Sequence, residues 1–162
     1  MPNPEKILVL VRHAHRDTVS KKADNGLSPK GQKQALRLEV ELASKFEEKP
    51  LLISSPKKRC IETLEPLAEK LGQEVDIEPL LDEESPNEKS ADFLDRIKAF
   101  ANWWKTQAPK ITIACSHGDW LPETVGLITG READFVKSGW LLLTLESNGK
   151  VLIQESSANR DY

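Results

Sequence analysis

Several things are missing from this sequence, and each absence excludes something. No apolar run is long enough to span a bilayer, and the first residues, MPNPEK, lack the apolar stretch of a secretory leader. Cysteine is scarce: Cys60 and Cys115 stand alone in 162 residues. Two cysteines make no disulfide framework, so a reducing, cytoplasmic setting is expected. Positive charge is not in excess, with 23 Lys and Arg against 26 Asp and Glu and a net charge of −3. That excludes a global basic field for nucleic acid or an anionic membrane, so any anion site must be a local concentration of charge. Internal repeats and low-complexity segments are absent too. There is no G-x-x-x-x-G-K-S/T phosphate loop and no H-E-x-x-H zinc helix. A cysteine-phosphatase loop starting at Cys115 would need arginine where Leu121 stands.

What remains is a chain that is 38% hydrophobic and 30% charged, a composition suited to one globular domain over residues 1–162. Its most informative stretch is Leu8-Val9-Leu10-Val11-Arg12-His13-Ala14-His15-Arg16. An unbroken apolar run fits a strand buried on both faces of a parallel sheet. Four cation-capable side chains follow within five residues. Such a cluster is either idle on a solvated loop or holds an anion.

The pattern along the chain alternates strands and helices. Strands are expected at Ile7–Val11, Leu51–Ser54, Val75–Ile77 and Ile111–Cys115. Trp140–Leu145 and Val151–Gln154, around Ser147-Asn148-Gly149, read as an antiparallel edge hairpin. A first helix follows the cap Ser28-Pro29 and carries Ala35, Leu38, Leu42 and Phe46 on its apolar face. A second spans Lys57–Leu71, closed by Gly72. A third spans Ala91–Lys105, with Phe93, Leu94, Ile97, Phe100, Ala101 and Trp104 inward, and a fourth covers Trp120–Ile128. The acidic stretch Asp82–Glu88 is a loop. Trp103, Trp104 and Trp120 are core or pocket wall, since no basic stripe accompanies them. The alternation implies an α/β layered fold.

Three of the buried strands run into basic or small polar residues: Arg12-His13, then Ser54-Ser55-Pro56 with Arg59, then Ser116-His117-Gly118. Ligands bind at the carboxyl ends of strands in open parallel sheets. If the three are neighbours, Arg12, His13, Arg59 and His117 converge. Two guanidinium forks match phosphate oxygens, one histidine can attack phosphorus, and a second can neutralise an equatorial oxygen. The helix after His117-Gly118 adds backbone donors. A general acid must come from Asp82-Glu83-Glu84 or, as second choice, Asp119. His15 and Arg16 are open between a pocket rim and substrate contact.

These residues resemble the histidine phosphatase superfamily, the phosphoglycerate-mutase-like enzymes. Arg12-His13-Ala14 is similar to its R-H-G signature, with alanine in the place of glycine. Leu27-Ser28-Pro29-Lys30-Gly31-Gln32-Lys33-Gln34-Ala35 resembles L-S/T-x-x-G-x-x-Q-A. Ser54-Ser55-Pro56 with Arg59 and Thr63 resembles S-S-P-x-x-R-x-x-x-T, Leu81-Asp82-Glu83 resembles L-x-E, and Ser116-His117-Gly118 is S-H-G. Five weak patterns in the right order make a strong one.

The resemblance implies His13 as the nucleophile that becomes phosphohistidine. It places Arg12, Arg59, His117 and Gly118 around the phosphoryl group and makes Glu83 the proton donor. It also implies a three-layer sandwich with a mostly parallel mixed sheet, no metal and no organic cofactor. The expected partner is a phosphorylated small molecule or phosphoprotein. The short connection from His13 to Leu27 is similar to that of small SixA-type phosphohistidine phosphatases, although those tend to lack the acid that Glu83 supplies here. The other readings are a non-catalytic phosphate-recognition module and a phosphoglycerate-type mutase, the latter disfavoured because the covering insertions are missing. His15 and Arg16 stand where mutase-like members often carry Glu and Ser, so they and Asp119 are candidate substrate contacts.

Overall fold

The computed structural model describes residues 4–20 and 23–157. In chain order the elements are β1 (Lys6–Arg12), α1 (Pro29–Leu42), β2 (Leu51–Ser54), α2 (Lys58–Leu71) and β3 (Asp76–Ile77). A single 3-10 turn (Pro79–Leu81) leads on to α3 (Ser90–Thr106), β4 (Ile111–Ser116), α4 (Trp120–Thr129), β5 (Trp140–Leu145) and β6 (Val151–Ser156). Six strands form one sheet in the order β3-β2-β4-β1-β5-β6. The first four of that order run parallel, and β5 and β6 join as an antiparallel hairpin at the edge.

The two-residue period of β1 sorts its side chains between two cores. Leu8 and Leu10 pack with Phe93, Ile97, Phe100 and Trp104 of α3 and with Trp120 and Val125 of α4. Val9 and Val11 face the other way, into Leu38 and Leu42 of α1 and Leu64 and Leu67 of α2. All four β1 residues are fully buried, each side chain stabilising the fold by roughly 1.5–3 kcal/mol relative to exposure. A helical pair therefore covers each face, giving a three-layer α/β sandwich. Among the described residues, no helix is long and apolar enough to cross a membrane.

Helix boundaries follow local chemistry. Ser28 caps α1, its Oγ accepting from Gly31 N at 3.1 Å, with Pro29 in the first turn. Gly72 closes α2 in the left-handed conformation. Two expectations are corrected. Phe46 is not on α1, which ends at Leu42; it lies in the following turn and packs against the same core, half-buried. Leu94 is 40% exposed, because the stripe of α3 that meets the sheet and α4 is narrower than its apolar content. β4 and β6 are also longer than expected, by one residue and by two.

Candidate active site

The order β2-β4-β1 makes the three motif-bearing strands adjacent. Arg12 pairs with Ser116 across β1 and β4, so the residues after each strand emerge side by side. His13 N donates to Ser116 O (3.1 Å) and Ser55 N to Cys115 O (3.0 Å), extending the ladder past the strand ends. Arg12, His13, Arg59 and His117 thus meet at one carboxyl edge.

His13 is 6% exposed. Its Nδ1 lies 2.8 Å from Ala14 O. A carbonyl only accepts, so Nδ1 carries the hydrogen and Nε2 holds the lone pair. Burial, with the charges of Arg59, Arg12 and Lys137, pushes its pKa down to about 4, against the hydrogen bond to Ala14. The His117 ring lies 5.4 Å from the His13 ring, centroid to centroid. Arg59 Nη2, which can only donate, is 3.3 Å from His117 Nδ1, and Ser55 Oγ is 2.8 Å from His117 Nε2. The proton of a neutral His117 therefore sits on Nε2. Burial first, then Arg59 and His13, lowers its pKa to about 2.

The clamp has an acidic side. Arg59 Nη2 donates to Glu83 Oε1 at 2.8 Å, and Glu83 Oε1 is 3.9 Å from His117 Nδ1. Asp82 approaches His117 Nε2 at 3.7 Å and Lys57 Nζ at 3.5 Å. Arg12 donates from Nη1 to Phe135 O at 2.7 Å, while its Nε and that of Arg59 are buried without hydrogen-bond partners. Burial lowers the Arg12 pKa, with Asp119 acting against it. Asp119 occupies the N-cap position of α4 without a side-chain cap bond; its Oδ2 accepts from Glu84 N at 3.0 Å. Among the described residues, no group of three or more His, Cys, Asp and Glu is arranged to hold a metal.

The motif residues between these side chains acquire physical reasons. A Cβ on Gly118 would sit 2.9 Å from Arg12 Nη2, so glycine leaves the space that the guanidinium occupies. Thr63 Oγ1 accepts from Ala14 N at 2.9 Å and donates to Arg59 O at 2.6 Å, tying the two basic segments together. Gln34 Oε1 accepts from His15 N at 2.8 Å, and His15 Nδ1 is 2.6 Å from Ser28 Oγ. His15 thus lies beside the start of α1, and Arg16 pairs with Leu27 in an isolated antiparallel bridge.

Sequence reasoning missed four residues. Ser55 and Gln34 lay inside quoted motifs without an assigned part. Lys137 is remote in sequence, and only the fold brings it near His13. Arg96 grips the acidic loop: Nε and Nη2 bond both Glu88 oxygens at 2.8 and 2.9 Å, and Nη1 and Nη2 reach Leu80 O, Asp82 O and Glu83 O at 2.9–3.1 Å. The Glu88-to-Arg96 spacing across a helix start carried no signal of its own.

Residues 8–86 match the model of the histidine phosphatase superfamily (branch 1). No curated protein matches by sequence. Among solved structures, the chain is similar to a mycobacterial glucosyl-3-phosphoglycerate phosphatase at 17% identity and TM-score 0.71, over 92% of this chain and 97% of that one. Similarity to a phosphoserine phosphatase of Entamoeba histolytica, in complex with 3-phosphoglyceric acid, is 16% in identity and 0.73 in TM-score, over 96% and 98% of the two chains. The protein histidine phosphatase SixA, complexed with tungstate, gives 17% and 0.70 over 93% and 95%. At such identities the likeness is one of fold, and that fold is the phosphoglycerate-mutase-like sandwich. Over residues 8–86, a stretch that holds Arg12, His13, Arg59 and Glu83, the chain matches the histidine phosphatase superfamily in sequence, and along nearly all of its length it shares the fold of these phosphatases.

Proposed function

We propose that this protein is a phosphatase that hydrolyses a phosphate monoester or a phosphohistidine through a phosphohistidine intermediate on His13. The observation that carries the reading is the fixed tautomer: Ala14 O holds the Nδ1 hydrogen, and a pKa near 4 keeps Nε2 unprotonated at neutral pH. The three solved relatives are, by their names, phosphatases acting on glucosyl-3-phosphoglycerate, phosphoserine and protein histidine, which supports the class of reaction.

The substrate phosphoryl group enters among Arg12, Arg59 and His117, where its charge offsets the repulsion of the cations. The Nε2 lone pair of His13 attacks phosphorus as the bond to the leaving oxygen breaks, and that oxygen takes a proton from Glu83. Ala14 O, accepting from Nδ1, stabilises the charge that develops on the ring. Water then attacks phosphorus, Glu83 takes its proton, the P–N bond breaks, and His13 is regenerated. We assign Glu83 rather than Asp119 to this step because Glu83 lies against both Arg59 and His117, whereas Asp119 accepts from the loop backbone. A phosphoryl oxygen competes with Glu83 for Arg59 Nη2, so binding frees the carboxyl group.

The test is a panel of aryl phosphate, alkyl phosphates and phosphohistidine protein, run on wild type beside His13→Ala. The expected result is turnover and an acid-labile phosphoenzyme in wild type and neither in the variant. Wild-type levels of turnover in His13→Ala would overturn the reading.

A further inference from the structure

The two ring nitrogens of buried His117 have different neighbours. Nδ1 faces the clamp, 3.3 Å from Arg59 Nη2 and 3.9 Å from Glu83 Oε1. Nε2 faces Ser55 Oγ at 2.8 Å, Cys60 Sγ at 3.6 Å and Asp82 Oδ1 at 3.7 Å. The end of β1 closes the remaining side. The His13 ring lies 5.4 Å from that of His117, and Arg12 Nη2 would be 2.9 Å from a Cβ on Gly118.

Counting hydrogens orders these contacts. Arg59 only donates, so Nδ1 accepts, and the ring hydrogen of a neutral His117 goes from Nε2 to Ser55 Oγ. Ser55 is wholly buried, and its Oγ also accepts from Lys57 N at 3.3 Å. The hydroxyl hydrogen is left for Asp82 Oδ1 at 3.4 Å. Asp82 is held in turn, Oδ1 accepting from Glu83 N at 2.9 Å and Oδ2 lying 3.5 Å from Lys57 Nζ. A chain of donors thus runs from the ring through a hydroxyl to a carboxylate.

The same order leaves a lone pair on Nδ1, the nitrogen that a phosphoryl oxygen meets. Two lone pairs repel, so a hydrogen must lie between them. In the free site, burial, Arg59, His13, Lys57 and Arg12 all disfavour a charged ring. An entering dianion reverses that balance from the Nδ1 side, and Asp82 supports the reversal from the Nε2 side. We infer that Ser55 and Asp82 are positioning residues for His117: they hold its Nε2 hydrogen and sustain the imidazolium that forms when a phosphoryl group enters, so that the clamp takes up one proton with each oxyanion. The inference rests on the phosphatase reading for what enters the clamp. An ester arriving as the monoanion brings that proton itself, which passes from a phosphoryl oxygen to Nδ1; a dianion draws it from solvent. Nδ1–H then donates to the phosphoryl oxygen, and the proton leaves with the released phosphate or returns to solvent.

The sign of the Asp82 effect separates this part from plain charge. A carboxylate beside an anion site repels the anion, so its removal alone would tighten binding. Acting through Ser55 and His117, it strengthens binding instead.

The probe is inorganic sulfate, which carries no proton near neutral pH. It is titrated into wild type and into Glu83→Gln, in which the group displaced from Arg59 takes up no proton. In both, the 15N shifts of the His117 ring should show one hydrogen, on Nε2, in the free protein and hydrogens on both nitrogens in the complex. Calorimetry in buffers of different ionisation enthalpy should read about one proton taken up per sulfate, with Kd rising toward ~10-fold per pH unit through neutrality. Asp82→Asn keeps the shape and the acceptor oxygen but not the charge. It should leave His117 neutral in the complex, lower the proton uptake and weaken sulfate by ~10-fold, the scale of one charge-assisted hydrogen bond. Ser55→Ala should act in the same direction, and the double variant should bind no worse than Ser55→Ala, because the two residues act in series. Asp82 is half-buried in a loop, so Asp82→Asn decides the outcome should Ser55→Ala fail to fold.

A neutral His117 in the wild-type complex, or tighter sulfate binding by Asp82→Asn with proton uptake unchanged, would overturn the inference; turnover of the ester panel would then leave the phosphatase reading intact. An imidazolium that depends on Asp82, in a wild type that turns over nothing, would sink the phosphatase reading and leave the positioning part standing. Sulfate that does not bind at all would also contradict the inference.

Discussion

Arg59 Nη2 and Glu83 Oε1 lie 2.8 Å apart, the guanidinium buried and the carboxylate side chain 38% exposed. One nitrogen serves both the acid and, at 3.3 Å, His117 Nδ1. In the proposed mechanism the resting clamp is closed by the candidate acid, and a phosphoryl oxygen that enters it takes the place of Glu83 on Arg59.

Glu83→Gln tests this directly. The amide can still accept from Arg59 but cannot deliver a proton. Turnover of alkyl phosphates, whose leaving oxygen needs protonation, should fall by about 10²–10⁴-fold. The rate of phosphoenzyme formation from an aryl phosphate with a good leaving group should fall far less, and the phosphoenzyme should then accumulate, because the shared hydrolysis step has lost its base. Equal losses in the rate of phosphoenzyme formation from both ester types would argue against Glu83 as the acid.

The pH dependence follows from His13. Its depressed pKa, about 4, is that of the free protein, and kcat/KM reports the free enzyme. Once corrected for ionisation of the substrate, the acid limb of kcat/KM should fall near pH 4 instead of the ordinary histidine value of 6.5. Stability moves as well. Both His13 and His117 have folded pKa values below 6.5, so on acidification the unfolded chain takes up protons that the fold refuses. Stability should fall as pH drops from about 6.5 toward 4, seen as a falling denaturation midpoint. A midpoint that is flat or rises across that window would contradict the burial of these rings as neutral groups.

The fold and the clamp were legible in the sequence because their signals are local. Val9 and Val11 alternate with Leu8 and Leu10, and an unbroken run of that kind needs cover on both faces. The three strands that end in Arg12-His13, Ser54-Ser55 and Ser116-His117 declared a common edge by repetition. Lys137 and Arg96 carried no such signal, since each acquires meaning from partners 124 and 13 residues away, His13 and Glu83. Leu94 misled for a related reason: helical periodicity says which residues share a side but not how wide a stripe the neighbours will cover.

Gly31→Ala measures how tightly α1 is docked on the nucleophile segment. The added Cβ would come within 2.0 Å of His15 O, a backbone atom that cannot swing away. Helix α1 must shift, disturbing the Gln34 bond to His15 N and the Ser28 contacts. Destabilisation of about 1–3 kcal/mol by denaturant unfolding is expected, the range for overpacking a filled site. A cost under ~0.5 kcal/mol, the level of an ordinary surface change, would mean that the segment yields freely.

Arg96 is assigned as a positioning residue for Glu83. It touches no reacting atom; its guanidinium holds the carbonyls of Leu80, Asp82 and Glu83, with Glu88 bonded across Nε and Nη2. That pairing holds the Glu88 carboxyl down at about 2 and leaves the loop one geometry. Trp120 Nε1 bonds Leu80 O at 2.8 Å and Ser116 Oγ bonds Leu81 O at 2.6 Å, so the loop keeps two anchors when Arg96 is lost. Arg96→Ala should therefore fold, with Glu83 displaced from its place beside Arg59. Since a misplacement of about 1 Å can cost ~10²-fold, kcat on alkyl phosphates should fall while KM changes little. The loss should be largest for the poorest leaving groups, a dependence that general loosening of the fold would not produce. Arg96→Lys keeps the charge but not the fork, and should recover little of the rate. Uniform losses across all leaving groups, or full recovery with lysine, would show that Arg96 supports the fold without aiming the acid.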